Sequence, residues 1–517
     1  MSASPSDIER EVKLQAWAGF ELPDLTGVVE GLVAVTAPDQ HLEATYYDTT
    51  DLRLARAGIS MRFRTGEGVQ RAGRSAKAAG RWTVKLPDEG AGPGLARREI
   101  SVDAAGRTIP EELSSLVRAH VRSAPLAPVA TLSTHRRRVE LRDGARRVLV
   151  EIADDQVSVL ENRRVAVRFR EIEAELRGDA PVDVLEPVTA RLEAAGARSG
   201  EQTSKVVRAL GPRSLDPPDV VVAALGRDAN LADVVGAAVA SGYTRLLRHD
   251  PGVRIGGHDE DVHQARVAAR RLRSDLRTFR GVLDPDANAA LREELQWLGA
   301  ELGHVRDGDV LADRLGTQAI ELAGADLRAA TGLLKRLESE RAAARQTMLA
   351  ALDSDRYVRL VDALADAAVR PRVTLAADEP AVDALRNVVR GPWKHLRQAV
   401  DALADEPEDE ALHDIRIRAK RARYAAEAAA PVLGKPALRF AKAVANVQGV
   451  LGELQDAVVA EEWLRGAGVK GPARQALLAG ELIGVQRVAM AEARRSWRAA
   501  WDELSDKKLR SWLIQGG

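Results

Sequence analysis

Ile8-Glu9-Arg10-Glu11-Val12-Lys13-Leu14, close to the N-terminus, carries the pattern on which the reading of the first half of the chain turns. Read as a β-strand, successive side chains take opposite faces. Glu9, Glu11 and Lys13 then share one side, and Ile8, Val12 and Leu14 the other. Two carboxylates and an ammonium side by side are costly to bury without partners. The charged side is therefore either a solvated sheet face or a set of ligands for a cation and an anion together.

The same design recurs downstream. From residue 8 to about 176, short alternating segments are separated by Gly, Pro and Asp, which reads as antiparallel strands and turns. Ser60-Met61-Arg62-Phe63-Arg64 puts Arg62 and Arg64 opposite Met61 and Phe63. Arg81 to Leu86 sets Lys85 opposite Trp82, Val84 and Leu86. His135-Arg136-Arg137-Arg138-Val139 and Leu149 to Asp154 follow, and Glu171-Ile172-Glu173-Ala174-Glu175-Leu176 puts three carboxylates on one face. Leu52 to Ala57 and Pro110 to Val121 read as helices, and the Gly/Ala/Arg-rich stretch 65–80 as a flexible loop. Acids gather on the first and last strands and bases on those between. In a flat sheet that face meets water; in a closed barrel the alternation can point it into a lumen. Such a lumen suits a polyanion with a divalent cation, and oxygen-only ligands favour Mg²⁺ or Mn²⁺.

Composition bounds the rest. At 517 residues the chain suggests roughly two to four domains. No apolar run approaches the ~20 residues of a membrane helix, so no membrane partner is expected, and Met1 to Asp7 has no secretory pattern. The absence of cysteine excludes disulfides and thiolate metal sites and fits a cytosolic protein. Lys+Arg and Asp+Glu balance at 76 each, which argues against a general nucleic-acid or membrane binder. No G-x-x-x-x-G-K-[ST] loop is present, which closes a P-loop route to phosphate. No covalent nucleophile stands out, and His135 reads as a polar residue at a strand start.

Glu9-x-Glu11-x-Lys13 resembles the signature of the CYTH domain, the triphosphate tunnel metalloenzymes. The ordered set Arg62-x-Arg64, Lys85, Arg136-x-Arg138, an acidic strand end, the E-x-E pair and Ser204-Lys205 extends the resemblance over residues 5–210. The resemblance implies an antiparallel eight-stranded β-barrel tunnel with peripheral helices, hydrolysing inorganic triphosphate or a related small triphosphate with Mg²⁺ or Mn²⁺. It implies that Arg62, Arg64, Lys85, Arg136, Arg138 and Lys205 clamp phosphate oxygens, with Lys13 helping. Glu9 and Glu11, with two of Glu171, Glu173 and Glu175, would hold metal, and Glu9, Glu11, Lys13 and Lys85 form the catalytic group. Asp154 or Asp155 matches the late acidic position, and Asp154 is the one carried forward as a metal ligand. Arg97 or Arg98 with Glu99 is a looser match. The chemistry implied is metal-assisted attack of water on a terminal phosphorus.

Residues 211–218, Gly-Pro-Arg-Ser-Leu-Asp-Pro-Pro, form a linker. Beyond it lie long Ala/Leu/Arg/Glu segments of helical period and an internal repeat. Val262-His263-Gln264-Ala265-Arg266-Val267 recurs 150 residues later as Leu412-His413-Asp414-Ile415-Arg416-Ile417, and Leu302-Gly303-His304-Val305-Arg306-Asp307 recurs at offset 149 as Leu451 to Asp456. Each repeated helix carries an apolar stripe. Beside it runs a basic one: His263, Arg266, Arg270, Arg273 and Arg277, then His413, Arg416, Lys420 and Arg423. Within the basic run these stripes have no acidic partners three or four residues away, and like charges there cost roughly 0.2–0.5 kcal/mol per pair. A solvated face or an external anion explains them.

The pattern resembles the CHAD domain, an all-helical duplicated module, over about 219–512, with repeats at about 219–365 and 380–512. The resemblance implies inorganic polyphosphate bound along a basic groove by His263, Arg266, Arg270, Arg273, His413, Arg416, Lys420 and Arg423. Arg245 and His395, equivalent by offset, are additions, as are Lys394, Arg397, Arg439 and Lys442. Neither His263 nor His413 has a second ligand at i+4, which weakens a zinc reading. The expectation is a cytoplasmic CYTH–CHAD protein associated with polyphosphate granules, its tunnel a triphosphatase. The rivals are a non-catalytic polyphosphate-binding scaffold, a thiamine-triphosphatase or adenylate-cyclase type of tunnel, and nucleic-acid binding, for which the aromatic stacking platform is missing.

Overall fold

Alternating charged and apolar side chains produce ten strands: β1 (Asp7–Glu9), β2 (Glu11–Ala16), β3 (Val33–Asp48), β4 (Ser60–Thr65), β5 (Gly80–Pro87), β6 (Arg97–Ala104), β7 (Ala127–Arg142), β8 (Val148–Glu161), β9 (Arg164–Leu176) and β10 (Arg198–Ser199). The computed structural model describes residues 7–66, 80–87, 97–199, 204–226, 228–256, 258–320, 322 and 324–513, with backbone alone at 7–9 and 325. The loop expected over 65–80 thus lies, for 67–79, outside the described residues. All pairings are antiparallel, in the order β1-β6-β5-β4-β3-β7-β8-β9-β2-β10.

The order corrects the expected closed eight-stranded barrel on two points. There are ten paired segments, and no ladder joins the two margins of the sheet among the described residues. The margins are instead joined through the chain. β1 pairs with β6 as far as Glu9, β2 pairs with β9 from Glu11, and only Arg10 stands between them. The Arg10 carbonyl accepts a hydrogen bond from the Leu176 N–H at 2.9 Å. Because strands twist, the two margins reach this run at different heights, so one extended segment serves one margin and then the other.

The apolar side of the strands makes the core. Leu14, Leu141, Val150, Ile152, Ile172 and Ala174 pack with Phe20 and Leu25, and with Leu185, Val188 and Leu192 of the helix α4 introduced below. On the sheet's other arm, Trp82 lies 4.8 Å from Tyr47 and 5.4 Å from Phe63, ring centre to ring centre. Of the two helices expected in this half, the first is shorter than the run Leu52 to Ala57: α1 (Arg53–Arg56) follows Leu52, whose φ is 59°. Asp48 accepts from the N–H groups of Leu54 and Ala55, each at 2.9 Å, and so anchors that turn. The second is broken at Val117 into α2 (Glu111–Leu116) and α3 (Arg118–Val121). α4 (Leu185–Ala194) and α5 (Lys205–Leu210) follow.

The chain divides into two units, residues 1–219 and 220–517. The Pro-rich linker belongs with the first: Arg56 donates to the Pro217 carbonyl at 2.8 Å, and Arg122 pairs with Asp219. The second unit is helical, as expected: α6 (Leu231–Ile255), α7 (Asp259–Thr278), α8 (Pro285–Ala319), α9 (Gly324–Leu352), α10 (Asp355–Val369), α11 (Ala381–Asp401), α12 (Asp409–Leu433), α13 (Lys435–Lys470), α14 (Ala473–Leu504) and α15 (Lys507–Arg510). Asn230 and Asp233 form a reciprocal capping box at the start of α6. Asp284 caps α8 ahead of Pro285. Buried Asp250 accepts from Arg254 at 2.8 Å and from the Tyr357 hydroxyl at 2.7 Å, which fixes α10 on α6. No helix of the described residues is long and apolar enough to cross a membrane.

Asp154 illustrates what the alternation demands. It lies on the outer face of β8, fully buried, and accepts two hydrogen bonds from Arg170 at 2.7 and 2.8 Å and one from Arg137 at 2.6 Å. Asp154→Ala leaves the buried Arg170 guanidinium without a carboxylate, its remaining partner being the Ala18 carbonyl. It should lower the unfolding free energy of the N-terminal unit by about 3–5 kcal/mol, whereas Asp103→Ala at an exposed pair should cost under about 1 kcal/mol, as measured by urea unfolding.

Candidate functional site

The charged side of the strands faces a cavity of about 430 Å³. Every strand from β2 to β9 contributes to its wall, together with the first turn of α5, so the sheet encloses this space. Ten basic side chains (Lys13, Arg62, Arg64, Arg81, Lys85, Arg97, Arg136, Arg138, Arg177 and Lys205) meet six acidic ones (Glu11, Glu99, Glu151, Asp155, Glu173 and Glu175). Among the described residues the wall therefore carries a formal excess of four positive charges.

Most of these charges are neutralised in pairs. Lys205, at the start of α5, touches Asp155, Glu171 and Glu173, each at 2.8 Å. Arg136 grips Asp155 with two hydrogen bonds of 2.7 Å and reaches Glu173 at 3.0 Å. Lys13 lies 3.1 Å from Glu11 and 2.9 Å from Glu173. Lys85 pairs with Glu99 at 3.1 Å, and Arg177 links Glu151 and Glu175 at 3.1 and 2.8 Å. Arg62 approaches the Tyr46 hydroxyl at 3.5 Å, and Arg138 approaches Glu151 at 3.5 Å.

The pairing decides the protonation states. Burial would raise Glu173, but Lys13, Lys205 and Arg136 hold it well below the usual carboxylate range. Burial would lower Lys205, but Asp155, Glu171 and Glu173 hold it well above its ordinary value. Glu175 is the exception. Burial pushes its carboxyl up to about 7; Arg177 opposes the shift, and Glu11 and Glu173 add to it. Glu11 and Glu175 stand opposite one another in the β2–β9 ladder, so two carboxylates meet there, each with a single basic partner, Lys13 and Arg177. A hard divalent cation with oxygen ligands fits that place.

The expected site residues divide accordingly. Glu11, Lys13, Arg62, Arg64, Lys85, Arg136, Arg138, Glu173, Glu175 and Lys205 come together in the cavity. Glu171 shares their face but is buried behind Lys205 and Arg208. Asp154 does not join them: neighbouring residues of a strand point to opposite faces, so the lumen position is Asp155 and Asp154 serves the outer core. Glu9 aligns with Arg97 in the β1–β6 ladder, and its side chain lies outside the described residues. His135 points outward, 2.9 Å from Asp39. Among the described residues no three His, Cys, Asp or Glu side chains converge as a metal cage. Tyr46, Arg81, Glu151 and Arg177 are wall residues that the sequence reading passed over; for Glu151, its place four residues before Asp155 was the available signal.

In the helical unit the two basic stripes meet. Arg266 and Arg270 of α7 act on Arg416 and Lys420 of α12, and burial with these three arginines drives Lys420 down to about 7. The stripes are not wholly without acidic partners, because other helices and the stripe's own end supply them. Arg266 pairs with Asp307 of α8 at 3.0 Å, its copy Arg416 lies in the field of Asp456 of α13, and Arg423 pairs with Glu427 at 2.7 Å. The Nε of both Arg266 and Arg416 is buried without a partner. Each guanidinium lies over a glycine of the next helix, Gly303 and Gly452 respectively. Burial and Arg306 lower His263, which favours a neutral imidazole, and His413 bonds Gln455. Arg273 is exposed and donates to Gln296 at 2.8 Å. Arg245, Lys394, His395, Arg397, Arg439 and Lys442 are exposed on α6, α11 and α13.

Residues 7–209 match the family model of the CYTH domain and residues 237–465 that of the CHAD domain. Two uncharacterized proteins from strains of Mycobacterium tuberculosis are each 33% identical over 498 residues, covering 88% of this chain and 88% of theirs. Among solved structures, PptA from Streptomyces chartreusis is 24% identical with a TM-score of 0.46, covering 53% of this chain and 100% of its own. The CHAD domain from the plant Ricinus communis is 26% identical with a TM-score of 0.41, covering 58% of this chain and 96% of its own.

The depressed Lys420 has a stability consequence. A folded-state value near 7 against 10.5 unfolded means the unfolded chain binds more protons between those limits, so stability rises with pH across that window. The slope from this group is at most about 1.4 kcal/mol per pH unit. Lys420→Met should remove it, as seen by comparing urea unfolding of the two proteins at pH 7 and pH 9.

Proposed function

The chain belongs to the CYTH family in its N-terminal unit and to the CHAD family in its C-terminal unit, and from that premise we propose a metal-dependent hydrolase of inorganic triphosphate or a related small triphosphate, joined to a module that binds inorganic polyphosphate. The observation that carries the reading is the cavity wall, ten bases and six acids facing one space.

In this reading Arg62, Arg64, Arg136 and Arg138 bind phosphate oxygens in the planar, forked manner of guanidinium, and Lys85 and Lys205 add point charges. Glu9, Glu11, Glu173 and Glu175 hold Mg²⁺ or Mn²⁺, and Asp155 orients Arg136 and Lys205. The cation, when bound, screens phosphate charge and makes a water more nucleophilic. Without ligand, Lys13 and Lys205 are both committed to Glu173. A cation held by Glu11 and Glu173 would take both carboxylate partners of Lys13, leaving that ammonium for phosphate, whereas Lys205 would keep Asp155 and Glu171. Glu11→Gln and Arg62→Ala should each lower phosphate release from triphosphate by on the order of 10²-fold. Absence of metal-dependent release from triphosphate, thiamine triphosphate and ATP alike by the full chain would leave the binding-scaffold reading.

Arg266, Arg270, Arg416 and Lys420 form the proposed polyphosphate site, where a polyanion offsets the burial and the repulsion that together depress Lys420. Bound polyphosphate favours protonated Lys420, so affinity should hold below about pH 7 and fall as pH rises above it. Titration calorimetry should show that fall in the natural chain and a flatter profile in Lys420→Arg, whose charge persists. Arg270→Ala should weaken binding about tenfold or more.

A further inference from the structure

A second cavity, of about 520 Å³, lies in the first helical repeat between α6, α7, α8 and α10. Its walls are largely aliphatic, with Val235, Val239, Leu276, Leu283, Leu291 and Leu360. Asn288, in the first turn of α8, stands among them. It is 6% exposed, and its Oδ1 has no hydrogen-bond partner. A buried amide oxygen left unpaired is costly and marks a place where a hydrogen-bond donor is missing.

The mouth is positively charged. Arg359, Arg370 and Arg372 are exposed there, and none of the three is held in an ion pair among the described residues. Arg356, also in the wall, neutralises Glu294 through contacts of 2.7 and 3.1 Å, which leaves Asp366 as the opposing carboxylate. The Asn288 amide belongs to this end: the Asp284 N–H, one turn before it, donates to the Arg372 carbonyl at 2.9 Å.

The internal duplication supplies a control. At offset 149, Asn288 and Leu291 correspond to Ala437 and Phe440. In the second repeat both are fully buried, and Phe440 packs edge-on against Trp393 at 5.5 Å and Trp512 at 6.0 Å. One copy fills this space with its own aromatic rings. The other leaves it open, lines it with aliphatic groups and sets an amide in it.

We propose that the cavity binds a small amphipathic anion, an alkyl chain bearing a carboxylate or a phosphate monoester. The chain lies between α6, α8 and α10, and the head sits among Arg359, Arg370 and Arg372, with a protonated head-group oxygen donating to Asn288 Oδ1. The site is separate in its residues from the basic stripes of α7 and α12, and the proposal does not rest on the triphosphatase reading.

Titration calorimetry of the full chain with decanoate, decyl phosphate and neutral decanol tests it. Both anions should bind at one site per chain with a negative heat-capacity change, and decanol about tenfold more weakly. The better of the two anions identifies the head group. Leu291→Trp, which imitates the second repeat, should abolish binding with an unchanged circular dichroism spectrum. Ala363→Phe at the exposed part of the wall provides the same block should the first variant fail to fold. Arg359→Ala/Arg370→Ala/Arg372→Ala should erase the preference for anions over decanol. The proposal is overturned by no binding, by equal binding of all three probes, by retained binding in the folded blocking variants, or by a mass doubling in light scattering that those variants abolish, which would make a second chain the occupant.

Discussion

The mutual neutralisation of Lys205, Asp155, Glu173, Arg136 and Lys13 is the interaction on which the N-terminal unit depends. Three carboxylates meet one ammonium at 2.8 Å, and that ammonium sits on α5, outside the sheet's own strands. Removing Lys205 would strip Asp155, Glu171 and Glu173 of a shared buried cation, the costly outcome for such networks. The network therefore ties β2, β7, β8, β9 and α5 to one another.

The outer face solves a parallel problem differently. Asp154 and Arg170 are polar groups placed in an otherwise apolar core, where they pair with one another, and the half-exposed Arg137 reaches Asp154 from the surface. Adjacent residues Asp154 and Asp155 thus belong to two separate networks on opposite sides of one strand.

Duplication gives the helical unit two basic stripes, and packing α7 against α12 brings them face to face. Burial, together with the resulting repulsion, lowers Lys420. Asp307 and Asp456 offset part of it from equivalent places on α8 and α13, each beside an arginine laid over a glycine. The copies diverge elsewhere. Where one packs Phe440 among tryptophans, the other keeps an open apolar cavity with an unpaired amide.

The sequence by itself determined the strand faces, the division into a sheet unit and a helical unit, the repeat offset and most of the charged wall, because these follow from periods of 2 and 3.6 residues and from side-chain chemistry. It put the three carboxylates of the Glu171–Glu175 run on one face, while only the packing of α5 shows Glu171 covered by Lys205 and Arg208, with Glu173 and Glu175 lining the cavity. Tertiary structure decided which of Asp154 and Asp155 faces the lumen, since one residue of slip exchanges the faces and composition reads the same either way. It decided that the two sheet margins meet across Arg10 without a ladder. It also supplied Asp307 to Arg266 from a helix 41 residues away. Local periodicity sets which side of an element a residue occupies. What stands opposite that side depends on long-range packing, which no local pattern encodes.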